Sequence, residues 1–420
     1  MIKAGALLYA MFLVIVSSII SSSFILINYH NNTFVLGALK QEQLFRDVNS
    51  GINYGLSFNE EIPYNQKVEV NLFDDEQHHV TLYKKNWGAF YLLTSTAEWR
   101  DKTVSKTAFV GANIDDEKKI AVYLADQNKP LSLTGNTKIS GNCYLPKAGV
   151  KRAYIEGHGF LGQKLIDGET RYSEVNLPSI NKKLFEDNYA NFSLENSTLD
   201  SIVDFALLLD NDTIINSFLN KTLVLYSPNS IVLENKYVVG NIKILSNKNI
   251  TVKSSSKIDN IILYSKGIIL EENTVANVQL YATDSISIED NCKLSYPSVI
   301  SVLGKGESKV QRKIVIGKQV KIKGVVFLVD ENTIQTNLSK VAIGEKSEIM
   351  GYIYSSELLE LNGDVIGGVY CKNFMLKTPS SIYHNHLMDV KIDRENLPKD
   401  FVGVALIKDI INHQTIRWVD

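Results

Sequence analysis

Ile250-Thr251-Val252, Ile268-Ile269-Leu270 and Ile286-Ser287-Ile288 are three copies of one apolar–x–apolar triplet, set 18 residues apart. The triplet recurs from Ile231, Ile314, Val341, Leu359 and Phe374, which makes eight copies between residues 223 and 382. Successive copies lie 15 to 19 residues apart, except for two spacings of 28 and 27. Each triplet follows an extended apolar pair: Leu225-Tyr226, Ile244-Leu245, Leu263-Tyr264, Leu280-Tyr281, Val302-Leu303, Phe327-Leu328, Ile353-Tyr354 and Val369-Tyr370. Alternation within the triplet sends its outer residues to one face, as in a half-buried strand. A short-strand unit of this length cannot bury that face alone and must stack on its neighbours. The pattern therefore predicts a parallel β-solenoid (β-helix) over residues 221–384. Corners are expected at Gly240-Asn241, Asn260, Asn277, Gly324, Gly351 and Gly367-Gly368, because Asn and Gly tolerate the left-handed backbone of a sharp bend. The two long spacings predict loops at residues 304–312 and 330–340.

On the N-terminal side of the repeats, residues 120–176 read as one or two early coils, from Ile139-Ser140-Gly141-Asn142, Tyr144-Leu145 and Ala153-Tyr154-Ile155. Residues 177–220 break the pattern. Leu184-Phe185, Leu199, Ile202-Val203, Phe205 to Leu208, Ile214-Ile215 and Phe218-Leu219 suit a helical insertion of two or three helices. Such an insertion is expected to cover the N-terminal end of the stack, with residues 385–420 capping the other, since open ends expose unpaired backbone.

From residue 4 to residue 29 there is no charged side chain. Twenty-six residues at about 1.5 Å each span a ~30 Å hydrocarbon core, so residues 1–30 are expected to be a transmembrane anchor in contact with lipid through residues 4–29. Lys3 precedes the run and the next fixed positive charge is Lys40. That bias predicts an N-terminus in the cytoplasm and everything after His30 outside it. A cleaved secretory signal is the alternative, but no Ala-x-Ala-like site follows the run. In residues 31–57, Val35, Leu36, Leu39, Leu44, Phe45, Val48, Ile52 and Leu56 recur at helical intervals and predict an amphipathic extension. Gly51, Asn53 and Gly55 are expected to end it. Residues 58–119 read as a small antiparallel β head, with strands near 68–72, 80–83, 89–93 and 104–110 and a tight turn at Trp87-Gly88. His78-His79 falls in the polar turn after Asp74-Asp75-Glu76-Gln77 and is expected to be solvated.

Lys3-Ala4-Gly5-Ala6-Leu7-Leu8-Tyr9-Ala10-Met11-Phe12 resembles the start of type IV pilin-like proteins, in particular the minor pilins and the K-type secretion pseudopilins. The resemblance covers about the first 55 residues. It implies that a prepilin peptidase cuts after Gly5 and leaves Ala6 as the mature N-terminus. It also implies an anchor helix continued onto a β-sheet, and other pilin-like or envelope subunits as partners. Most pilins carry Glu at the fifth mature position; here that position is Ala10, a departure shared with the K-type pseudopilins. The repeats themselves are similar in style to the bactofilins, short β-helices that polymerise end to end. This chain departs from them in its anchor, its head and its expected caps.

The formal net charge of −2, with no arginine-rich run, argues against nucleic acid, which demands a concentrated basic surface. Cys143, Cys292 and Cys371 lack metal spacing and are expected to be buried thiols. One outward column holds Glu234, Lys253, Glu271 and Glu289. Coils in register would set Glu271 and Glu289 about 4.8 Å apart, a pair fit to hold a cation or share a proton. The neighbouring Lys253 makes the same column read as ordinary charge alternation. His384-x-His386-x-x-Asp389 resembles a ligand group only loosely. No nucleophile triad, CxxC, HExxH or dinucleotide fingerprint is present, and residues 304–309 lack the Gly-Lys-Ser/Thr ending of a phosphate loop. No catalytic residue, metal ligand or cofactor is therefore assigned. The expectation is a single-pass, mainly β envelope protein, structural or adhesive and not an enzyme, whose bulk lies outside the cytoplasmic membrane. The alternative is an anchored carbohydrate-active enzyme or glycan-binding module that uses one solenoid face and the pair Glu271 and Glu289.

Overall fold

The structure is a computed structural model that describes residues 4–72, 79–113, 119–196, 200–208, 211–331, 337–407 and 412–419. The polar turn at 74–77, His78, Leu199 and residues 332–336 of the second long loop lie outside these. The chain divides into two compact units: Met1–Lys84 with Leu93–Lys106, and Lys85–Leu92 with Thr107–Asp420.

The first unit is built on one unbroken helix, α1 (Ala4–Ser57). Its apolar N-terminal stretch is unburied among the described residues: Leu13 is 66% exposed and Phe24 68%. The buried stripe begins only at Leu44 and continues through Val48, Gly51, Ile52 and Gly55, the i, i+4, i+7, i+8 spacing of a single helix face. Val35, Leu36, Leu39 and Phe45, expected on that stripe, are about half exposed or more. The expected stop at Gly51, Asn53 and Gly55 is also corrected, because the helix continues to Ser57. Both glycines are contact points. A Cβ on Gly51 would collide with the Ser95 hydroxyl and Val80, and one on Gly55 with Leu93. The helix tolerates two poor helix formers because the β-strands lie too close for a side chain. Those strands are β1 (Lys67–Asn71), antiparallel to β2 (His79–Trp87), together with β3 (Phe90–Trp99) and β4 (Lys102–Asn113). Strands β2, β3 and β4 each lend residues to both units.

In the second unit a predominantly parallel sheet closes on itself. Each repeat pairs in parallel with its equivalent one repeat on. The triplets form one column, Ile231, Ile250, Ile268, Ile286, Ile314, Val341, Leu359 and Phe374. A second column runs Leu225, Ile244, Leu263, Leu280, Ile300, Val326, Ile353, Val369, and every member is fully buried. The register therefore assigns Ile300-Ser301 and Val326-Phe327 to the places expected of Val302-Leu303 and Phe327-Leu328. A third column, Val238, Ile258, Ala276, Leu294, Ile322, Ile349 and Val365, belongs to a strand run that the repeat pattern did not announce. At one corner Gly324, Gly351 and Gly367 stack with φ of +155°, +140° and +147°. A Cβ on Gly351 or Gly367 would overlap the carbonyl oxygen of the glycine before it in the column.

The order of the stack differs from the order of the chain. Strand β5 (Ile120–Leu124) pairs through Val122, Tyr123 and Leu124 with Val369, Tyr370 and Cys371 of the last main repeat. The segments expected as early coils thus continue the C-terminal end of the stack. Part of the expected C-terminal cap joins them there, since His386–Met388 pairs with Leu131–Thr134 and Lys391–Asp393 with Lys138–Ser140. The tail then supplies a strand, Asn412–Trp418, antiparallel to β4. It is not an end cap.

The described residues of 177–220 are likewise not a bundle of helices. Among them are one α-helix, α2 (Lys182–Ala190), short 3-10 turns at Leu194–Asn196 and Phe205–Leu208, and strands Ser201–Asp204 and Thr213–Asn216. Ile202-Val203 and Ile214-Ile215 are β-branched pairs, and they pair with Leu223–Ser227 and Tyr237–Ser246 at the opposite end of the stack. The chain must return from one end to the other, and residues 173–196 run along a flank. Tyr123 contacts the backbone of Glu174 and Asn176, Tyr264 reaches Asn188, and Lys243 reaches Asn191. The flank is itself a column: Tyr226, Leu245, Tyr264, Tyr281, Ser301, Phe327, Tyr354, Tyr370, Tyr123 and Tyr144. Seven of these ten are tyrosine, and the periodicity of residues 177–194 serves to cover them.

Candidate functional site

The acidic column forms, but the two carboxylates of the expected pair, Glu271 and Glu289, have other partners. Glu271 follows Leu270 at the end of its strand and pairs with Lys253 at 3.5 Å, both side chains about one-third exposed. Glu289 accepts the backbone N–H of Glu272 at 3.1 Å. Each carboxylate is held by a neighbouring repeat, as in a charge-alternating wet face. His386 Nδ1 lies 2.7 Å from the His384 carbonyl, and Asp389 accepts the Asn136 N–H at 2.8 Å. Among the described residues no cluster of three His, Cys, Asp or Glu side chains is arranged to hold a metal. Gly5 and Ala6 stand exposed in the first turns of α1, and His79 opens β2. Cys143, Cys292 and Cys371 are buried and unbridged. Burial pushes the Cys143 thiol up to about 12 and Cys371 well above its ordinary value.

Three constellations escaped the sequence. The first is a buried ion cluster. Asp200 takes Lys85 at 3.0 Å and Lys243 at 3.3 Å, while Lys85 also donates to Thr222 at 2.6 Å and Lys243 to Asn191 at 3.1 Å. Burial depresses Lys243, Asp200 opposes that depression, and Lys85 adds to it. The cluster fastens the start of residues 200–204 to the second repeat. The second constellation ties down the expected loop at 304–312. Arg312 is buried, pairs with Asp330 at 2.6 Å and donates to the carbonyls of Thr283, Lys305 and Gly306. Both are structural networks of a kind that single residues far apart in sequence cannot announce.

The third is a surface cleft of about 510 Å³. Its walls come from the third strand run of two adjoining repeats and from the C-terminal strand, with Lys257, Asp259, Asn273, Ser295 and Arg417 among the lining residues. The Arg417 guanidinium lies 5.3 Å from the Phe109 ring centroid, and its buried Nε has no hydrogen-bond partner among the described residues. Burial lowers the Arg417 pKa; Asp259 and Tyr296 raise it.

No sequence-family model matches the chain, and no curated protein sequence does. Among solved structures, the chain is similar to the competence-associated pilin ComZ from Thermus thermophilus, at 11% identity over 85% of this chain and 88% of that one, with a TM-score of 0.27. A superposition of that quality does not establish a shared fold.

Proposed function

We propose that this chain is a single-pass membrane protein that displays a β-solenoid outside the cytoplasmic membrane as a structural or adhesive module, in the manner of a pilin-like subunit. The division along α1 carries this reading. Its uncharged N-terminal stretch is long and apolar enough to cross a membrane and is unburied, whereas the same helix packs against β-strands from Leu44 onward. Unpacked apolar surface of this extent is unfavourable in water and favourable in a bilayer. The closed parallel sheet of the second unit supports a three-sided solenoid, because each repeat contributes three strand runs and like pairs with like along every column. Its terminal strands, Thr170–Tyr172 at one end and Ser201–Asp204 and Thr213–Asn216 at the other, are three or four residues long. Strands this short, two of them bearing Arg171 or Asp204, favour display over end-to-end polymerisation. The partners of Glu271 and Glu289 favour no catalytic role for that pair.

Carbonate-washed membranes test the anchor. The full chain should stay in the pellet, and a chain lacking residues 4–29 should move to the supernatant. Equal partition of both would remove the reading.

A further inference from the structure

We propose that the cleft lined by Lys257, Asn273, Ser295 and Arg417 binds an acidic saccharide unit, a sugar ring that carries a carboxylate. At about 510 Å³ it falls within the ~300–1,000 Å³ typical of small-ligand clefts. Two cations and one carboxylate, Asp259, line it, and among the described residues neither cation has an acid within ion-pair distance. Arg417 is held in place by the Phe109 ring and has a buried Nε donor without an acceptor. A guanidinium so held fits a planar carboxylate through paired hydrogen bonds. Lys257 sits 5.4 Å from the Tyr237 ring centroid and supplies a second, more mobile charge.

The rest of the lining suits a polyol. The hydroxyl of exposed Ser255 accepts the backbone N–H of Asn235 at 3.0 Å, which leaves its proton to donate. Asn273 and Ser295 add an amide and a hydroxyl, and Val275, 55% exposed, offers an aliphatic surface to the C–H face of a ring. Asp259 in the wall opposes a doubly charged phosphate more than a singly charged carboxylate. The inference stands apart from the anchored-display reading, since the cleft belongs wholly to the second unit.

Calorimetric titration of the full chain in detergent micelles tests it with three probes: tetragalacturonate, the neutral maltotetraose and inorganic phosphate. Tetragalacturonate should bind at least about tenfold more tightly than either control. Lys257→Gln, at an exposed position that leaves folding intact, and Arg417→Gln should each weaken it about tenfold, and Asp259→Asn should tighten it. Failure of tetragalacturonate to bind would overturn the proposal. So would equal binding of maltotetraose, equal binding of phosphate, or affinity unchanged in both Lys257→Gln and Asp259→Asn.

Discussion

Tyr264 and Tyr281, one repeat apart, stack with ring centroids 4.9 Å apart and planes 13° from parallel. Their hydroxyls point the column at two different covers. Tyr264 donates to Asn188 Oδ1 at 3.0 Å, on the returning helix α2. Tyr281 donates at 3.0 Å to Gln279 Oε1, the same oxygen that accepts the Ala89 N–H at 2.9 Å, while Gln279 Nε2 donates to the Trp87 carbonyl. Gly88, between those two residues, has φ +64° and leaves no room for a Cβ beside the Gln279 amide. The tyrosine column therefore binds segments distant in sequence to the repeats.

Removing one rung should show its worth. Tyr264→Ala deletes a fully buried ring and should cost about 3–5 kcal/mol in chemical denaturation. Tyr264→Phe keeps the stack, loses the bond to Asn188 and should cost about 1 kcal/mol. Equal losses for the two would mean that the ring packing contributes nothing beyond the hydroxyl.

Alkaline pH should attack the same column. Burial raises Tyr264, Tyr281 and Tyr370 above their ordinary value of 10.0 and pushes Tyr354 up to about 12. Folded phenols thus hold their protons longer than unfolded ones. The stability they contribute is complete below pH 10 and is lost as pH rises from there through their folded values. Absorbance at 295 nm should report exposed tyrosines titrating near pH 10 and the buried set ionising later, together with unfolding. A single transition near pH 10 with the fold intact would contradict this.

Gly51 makes a prediction for the first unit alone. Gly51→Val raises helix propensity but drives a branched side chain into Ser95 and Val80, so it should destabilise by about 1–3 kcal/mol. Gly51→Ala should fall between. Thermal melts in detergent check the order, and a stabilising Gly51→Val would show that the glycine is not a contact point.

The acidic pair should prove inert. Glu271→Gln with Glu289→Gln removes one partly exposed ion pair and the charge, but not the acceptor oxygen, that receives the Glu272 N–H, so stability should change by less than about 1 kcal/mol. Reducing-sugar assays on polysaccharides should give the same reading for the double variant and the parent. Activity in the parent that the variant lacks would restore the catalytic alternative.

What the sequence made legible follows from locality. The Ile231-to-Phe374 column was readable because an 18-residue spacing between like triplets is itself the pairing register. The Val238-to-Val365 column repeats at nearly the same intervals, but it was not readable, because each of its runs buries a single aliphatic residue and shows no alternating triplet to mark a strand. Val122 against Val369 joins residues 247 apart in sequence, and no local pattern announces which end of a stack an extra coil will extend. The pairs Ile202-Val203 and Ile214-Ile215 suit a helix as well as a strand, because two adjacent aliphatic residues fit either period. The acidic column was legible down to its alternation with Lys253. The cleft was not, since it exists only where Arg417 of the C-terminal strand comes beside Lys257.

Protease digestion of intact spheroplasts tests the central claim most directly. The account predicts that external protease cuts the chain without lysis and leaves behind a membrane-bound fragment that begins at or near residue 6 and retains the apolar part of α1. A chain fully protected until the membrane is broken would place the repeats inside the cell and contradict it.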